Sequence, residues 1–364
     1  MRAFTAILID IYRELSSKRL FWLSLGLSTV VVAAFAMVGI NEKGMTIFGI
    51  LLEIPFVNST VLEPGEFYKL VFYALGVRFW LAWLACLLAL VASAGLFPEL
   101  VSSGTVETLL SKPILRYQLY LSKFVGGLLF TALQITMFCL ASFVVIGVRG
   151  DAWEPGVFLA IPLVTLLYSY LFAISALIGT VTRSGIAALL LTVLIWGFLF
   201  SLNLSEMLVN SFRIAQIEEI AAIDRLVATQ REKDVAVDTS DLTLEREEAV
   251  STLATLSKAH QILFITKSIL PKTEETAQLL QRWTVHAANL EAAAADDEDE
   301  TQSKRSRRRG DGNFGTTRAR ERDVTAAIER DQHGRSLWWV VGTSLAFEAA
   351  VLAWGCRVFS RRDF

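Results

Sequence analysis

Six apolar runs, each long enough to cross a lipid bilayer, divide this sequence and constrain its fold more than any other feature. A helix rises about 1.5 Å per residue, so about 20 apolar residues cover a hydrocarbon core of ~30 Å. The runs are 20–40, 79–97, 124–148, 157–181, 185–204 and 337–356. The fourth and fifth are separated only by Thr182, Arg183 and Ser184. Charged residues make up 19% of the chain, below the ~25% of ordinary soluble domains. Most of them are gathered in 205–335, which leaves the runs nearly free of charge.

The distribution of Lys and Arg orients the spans. One set of flanks carries Arg2, Arg13, Lys18 and Arg19, then Lys112, Arg116 and Lys123, then Arg183, then Arg357, Arg361 and Arg362. The opposite short loop sets Arg149 against Asp151 and Glu154, and the loop 41–77 sets Lys43 and Lys69 against four glutamates. The expectation is a multi-pass protein of the cell (inner or plasma) membrane with both termini cytoplasmic and 205–336 on the outer side. Charges interrupt the first eighteen residues, so no cleavable signal peptide is expected. Phe4, Ile7, Leu8, Ile11 and Leu15 recur at helical spacing, which suits an interfacial helix or an extension of the first span.

The segment between spans two and three carries a motif. It contains Glu99, Gly104, Thr105, Glu107, Leu109, Leu110, Lys112, Pro113 and Arg116, with Lys123 opening the next span. This loop, 98–123, resembles the cytoplasmic loop of type-2 ABC-transporter permeases of the exporter family. The ending Arg361-Arg362-Asp363-Phe364 is similar to an ending common there. The resemblance covers roughly 1–204 and 337–364. It implies that the loop forms a short coupling helix docked on a separate cytoplasmic ABC ATPase. Glu99, Glu107, Lys112 and Arg116 would supply orienting charge pairs, and Leu109 and Leu110 an apolar anchor. Gly104 permits a break, and Pro113 ends the helix. An ordinary charged loop with helix caps is the simpler alternative.

The resemblance also implies two transmembrane subunits, as a homodimer or with a related second permease. The chain has no phosphate-cradling Gly-x-x-x-x-Gly-Lys-Ser/Thr loop. No cofactor is therefore expected on it, with ATP and Mg on the partner, and the chain itself is not expected to be an enzyme. Cys86, Cys139 and Cys356 lie apart inside apolar runs, and His260, His286 and His333 show no ligand spacing, so no metal site is expected. No nucleic-acid partner is expected either.

The region 205–336 reads as an extracytoplasmic helical insertion. Ile214, Ile217 and Ala221, then Val250, Leu253, Leu256, His260 and Leu263, then Thr276, Leu279, Leu280 and Trp283, recur at steps of three and four, with Pro271 as a break. These helices pack as hairpins or lie on the membrane surface. An acidic block at 296–300 and a basic run at 304–309 lie in a stretch, 293–322, with the composition of a flexible loop. Glu348 stands near the middle of the sixth run, where a carboxylate is costly. It serves either the cargo path or helix packing, and Arg78 is a conceivable partner.

The expected fold is therefore an all-α membrane protein of six transmembrane helices with that insertion between helices five and six. The expected function is the transmembrane permease of an ATP-driven exporter. The alternative is a membrane-anchored docking or mechanotransmission protein whose outer helices bind an envelope partner.

Overall fold

The computed structural model describes residues 13, 16, 19–42, 44–47, 50–52, 63–101, 115–232, 240–279 and 337–361. The interfacial N-terminal helix, the loop core 102–114, the third outer helical run beyond 279 and the charged stretch 293–322 lie outside the described residues.

The described chain is an all-α membrane protein with one small sheet. Helix α1 spans Arg19–Met37. It stops short of the expected end at residue 40, because β1 (Val38–Asn41), β2 (Gly44–Ile47) and β3 (Ile50–Leu52) follow at once. They form an antiparallel sheet in sequential order, with Val38 opposite Ile47 and Thr46 opposite Leu51. The apolar residues Val38, Ile40, Met45 and Ile47 satisfy a strand as well as a helix, and hydropathy alone does not separate the two.

Helix α2 runs through Pro64–Val101 with a break at Ala94 and Gly95. Its start corrects the expected one at Phe79: residues 64–77 are helical rather than loop. Pro64 opens it, where the missing N–H costs no helical bond. The stretch Phe72–Ala85 is π-helical, a wide winding that is rare and short in most proteins. Helix α3 spans Arg116–Gly150 and ends at Asp151 in the left-handed region, φ 51°. A turn at Pro155–Leu159 leads into α4, Ala160–Thr182, which ends at Arg183 with φ 56°. Helix α5 begins at Gly185 and continues unbroken to Glu232, well past the expected end at 204. Helix α6 spans Ser240–Ile269, and Pro271 follows it. A short helix occupies 273–279. Helix α7 spans Leu337–Ser360.

Five of these segments (α2, α3, the turn with α4, α5 and α7) are long and apolar enough to cross a membrane, and α1 is shorter. The first expected span, 20–40, is therefore present as a helix but falls below the length that the other five reach.

The chain divides into two compact units. The first comprises Met1–Trp196, Thr273–Glu298 and Ser344–Phe364; the second comprises Gly197–Lys272 and Asp299–Thr343. In the first unit, aromatic rings from three helices make one core: Phe124 stacks on Phe172 at 5.2 Å, Phe97 lies 5.7 Å from Phe172, and Tyr168 stacks on it at 5.2 Å. Such ring pairs contribute about 0.5–1.5 kcal/mol beyond the area they bury. The sheet is tied to this bundle by Tyr68, whose hydroxyl donates to the Val38 carbonyl at 2.8 Å and accepts from Arg149 Nε at 3.1 Å. Lys69 pairs with Glu154 nearby, 3.2 Å apart.

The second unit is an antiparallel hairpin. Asp224 of α5 meets Arg246 of α6 at 2.8 Å, and Glu206 meets His260 at 3.2 Å and Lys267 at 3.0 Å. Positions fall along one helix as they rise along the other. The Asp224 carboxylate raises the Arg246 guanidinium further above its ordinary value.

Candidate functional site

Two places in the first unit carry the residues singled out in the sequence. The first is the pair of helix ends that the motif loop joins. Glu99 sits in the last turn of α2 with its side chain exposed, flanked by the buried Pro98, Leu100 and Val101. Pro98 is pressed onto α4 at Gly179, where a Cβ would stand 2.9 Å from its ring. The end of α2 is therefore seated on α4 with its acidic residue facing outward.

Arg116 opens α3 at the other end of the loop. One of its Nη atoms donates to the Ser360 carbonyl at 3.1 Å, so it caps the last turn of α7. A cation there also opposes the partial negative charge of a helix C-terminus. One turn further along α3, Tyr120 is fully buried and touches both Phe97 (4.7 Å) and Phe359 (5.9 Å). Gly355 makes the approach of α7 possible, because a Cβ at that position would lie 2.2 Å from the Tyr120 hydroxyl. Through Tyr120, the end of α2, the start of α3 and the end of α7 converge. Lys123, one further turn on, is buried as well. Gly104, Thr105, Glu107, Leu109, Leu110, Lys112 and Pro113 lie outside the described residues.

The second place surrounds Glu348. Helix α7 buries one stripe in this unit, Ser344, Glu348, Val351, Gly355 and Phe359, at steps of three and four. Glu348 is the one carboxylate of that stripe and accepts a 2.8 Å hydrogen bond from the Ser169 hydroxyl of α4. Tyr170, the next residue, places its hydroxyl beside Thr276 and Ser344. Arg78 is not part of this arrangement: its side chain is exposed on the π-helical stretch of α2, and Glu348 takes Ser169 as its partner.

Sequence reasoning missed Ser169, Tyr120 and Gly355. Ser169 gave no signal, since a lone serine in an apolar helix usually bonds its own backbone. Gly355 was readable as a close-packing position, although its partner was not.

A small cavity between α1, α2, α3 and α4 is bordered by Ser24, Ser28, Thr131, Gln134 and Tyr168 among apolar groups. Gln134 donates to Ser24, and Tyr168 donates to Ser93 at 2.7 Å. The bundle interior thus holds polar groups, two pairs of which, Gln134 with Ser24 and Tyr168 with Ser93, are hydrogen-bonded.

A family model described as ABC-2 family transporter protein matches residues 5–364. The match includes 205–336, which the motif resemblance did not cover. No curated protein and no solved structure matches the chain.

Proposed function

Because the chain belongs to the ABC-2 family of transporter proteins, we infer that it is the membrane permease of an ATP-driven exporter whose ATPase is a separate cytoplasmic polypeptide. The family match over nearly the whole chain carries this reading. In it, both termini and the loop 98–123 face the cytoplasm of a cell-membrane protein, α1 is the first of six spans, and 205–336 forms the extracytoplasmic insertion. A second permease subunit, the same chain or a relative, completes the pathway. ATP and Mg stay on the ATPase, and this chain binds no cofactor.

The route of coupling follows from what the loop is attached to. A force applied by the ATPase at 102–114 reaches α2 through Glu99 and α3 through Arg116. The seat of Pro98 on Gly179 supports transmission to α4, and the Arg116–Ser360 bond supports transmission to α7. Glu99, Glu107, Lys112 and Arg116 orient the docking, and Leu109 and Leu110 anchor it. Glu348 sits where α7 and α4 would have to slip past one another, which suits a gating contact.

The test is co-purification with the candidate ATPase and measurement of its stimulated ATP hydrolysis. Charge reversal at Glu107 and Arg116 should lower both. Unchanged complex and hydrolysis would show that the loop is not the coupling element.

The docking or mechanotransmission reading draws its support from the α5–α6 hairpin. Helix α5 has 48 residues and is roughly 72 Å long, more than twice a bilayer core of ~30 Å. Deleting 210–330 separates the two readings. Transport that survives with loss of an envelope partner favours docking as the hairpin's role.

A further inference from the structure

The hairpin formed by α5 and α6 changes its polarity along its length. Towards the tip it is built like a soluble coiled coil. Ile214, Ile223 and Ala249 are buried, while Asp224, Arg225, Glu245, Glu247, Glu248 and Lys258 are exposed. Towards the foot the pattern reverses on both helices at the same height. There Asn203, Glu206, Asn210 and Lys267 are buried, and Glu206 is 2% and Lys267 6% exposed. Facing outward are Leu204, Leu208 and Phe212 on α5 and Ile262, Ile265 and Ile269 on α6, the three isoleucines at 66%, 56% and 72%.

The buried charges Glu206 and Lys267 are satisfied from inside. Lys267 Nζ bonds Asn203 and Glu206, and His260 reaches the other oxygen of Glu206. Lys272, just past Pro271, is buried too. It bonds Thr343 and lies 4.0 Å from the centroid of the Trp339 ring, which itself stacks on Phe264 at 5.4 Å. In water this arrangement is unfavourable twice over. Two lysines with long flexible stems are kept from solvent, and six large apolar side chains are kept in it. Against hydrocarbon both terms change sign, because charges must pair internally and apolar groups gain a matching solvent. A protein partner would also accept the apolar face, but lipid is favoured by continuity. Ile186, Leu190, Leu194 and Phe198, lower on the same α5, are exposed at steps of four within the segment whose apolar length suits a membrane.

We propose that the foot of the α5–α6 hairpin is a lipid-contacting surface, with hydrocarbon covering α5 as far as Phe212 and α6 from Ile262 to Ile269. The water boundary crosses the hairpin near Phe212 and Lys258. Only the part beyond it stands free of the bilayer, and the loop side of α6 dips back to membrane depth before Pro271. This surface does not depend on what the protein moves or on its ATPase.

The test uses full-length protein in phosphatidylcholine–phosphatidylglycerol vesicles. Single cysteines replace Ile262, Ile265 or Ile269 in a background with the three native cysteines removed, and carry an environment-sensitive fluorophore. Leu190→Cys is the lipid control, and Leu244→Cys, an isolated exposed leucine among glutamates, is the water control. Bromine-labelled acyl chains are expected to quench the three foot positions several-fold more than aqueous iodide does, as at 190. Iodide quenching like that at 244 would overturn the proposal, and so would shielding from both quenchers, which would mean a protein or a second copy covers the face. A second measurement needs no substitution. A bilayer-dissolved diazirine should label the tryptic peptide 259–267 of the unmodified protein several-fold more than 247–258, and equal labelling would overturn the proposal independently.

Discussion

Arg116 and Ser360 are joined by a 3.1 Å hydrogen bond across 244 positions of sequence, so the first turn of α3 holds the last turn of α7. The bond lies at the edge of the loop 98–123, the proposed coupling element. Whatever moves that loop is therefore mechanically connected to a helix far away in the chain.

Removing this connection should loosen α7 without unfolding the bundle. Arg116→Ala is expected to cost about 1 kcal/mol, the usual net contribution of one such bond. Arg116→Lys should recover part of it through the remaining charge at the helix terminus. Thermal unfolding in detergent checks the order wild type, Lys, Ala. In the same variants, ATPase stimulation should fall further than stability does if the bond transmits force.

The contact beneath it depends on the absence of a side chain. Gly355→Ala would place a Cβ 2.2 Å from the Tyr120 hydroxyl and 2.8 Å from its ring carbon. Overpacking of this kind costs about 1–3 kcal/mol. Tyr120→Phe removes the nearer atom, so the double variant should regain part of the loss. Unfolding midpoints of the two single variants and the double variant measure this coupling, and strict additivity would refute the contact.

Glu348 is held by Ser169, and its role in packing can be read separately from its charge. Glu348→Gln keeps the acceptor and the volume and should unfold close to wild type. Glu348→Ala removes the bond between α4 and α7 and leaves a small cavity, while the Ser169 hydroxyl keeps the Leu166 carbonyl at 2.8 Å, so a loss of about 1–3 kcal/mol is expected. A transport assay on the stable Gln variant then reports whether the carboxylate itself is needed.

The buried pair in the hairpin should show the asymmetry of charges removed from water. Lys267→Met leaves Glu206 buried with a neutral neighbour, and losses of about 3–5 kcal/mol are typical for such a break. Replacing both residues, Lys267→Met with Glu206→Leu, should restore much of the stability, although His260 then loses its carboxylate partner. Yield and detergent unfolding of the single and double variants decide it.

The sequence was most legible where hydropathy and chain breaks coincide. Arg183 ends α4 where a three-residue polar gap was read, and Pro271 follows α6 as a breaker should. It was least legible where polar residues face inward. Asn203, Glu206 and Asn210 look like the exit of α5 from the membrane, yet all three are turned into the hairpin and the helix runs on. The apolar stretch from Val38 to Leu52 hid a sheet, because strand and helix share its composition. Glu63 and Pro64 did mark the true start of α2, but the charges around them read as loop. Of the site residues, Glu348 was legible as an isolated carboxylate. Ser169, on another helix, was not, since pairing across 179 positions leaves no local trace.

That separation has a consequence for how the protein is made. When α4 emerges from the ribosome, the groove that will receive α7 is already lined by Ser169 and Tyr120, but its occupant is still 179 residues from synthesis. At ordinary elongation rates of ~5–20 residues per second, the groove waits roughly 10–35 s. During that time the Ser169 hydroxyl has its own helix to bond, at the Leu166 carbonyl. The bundle closes only when α7 arrives, so its last helix docks into a site laid down 179 residues earlier.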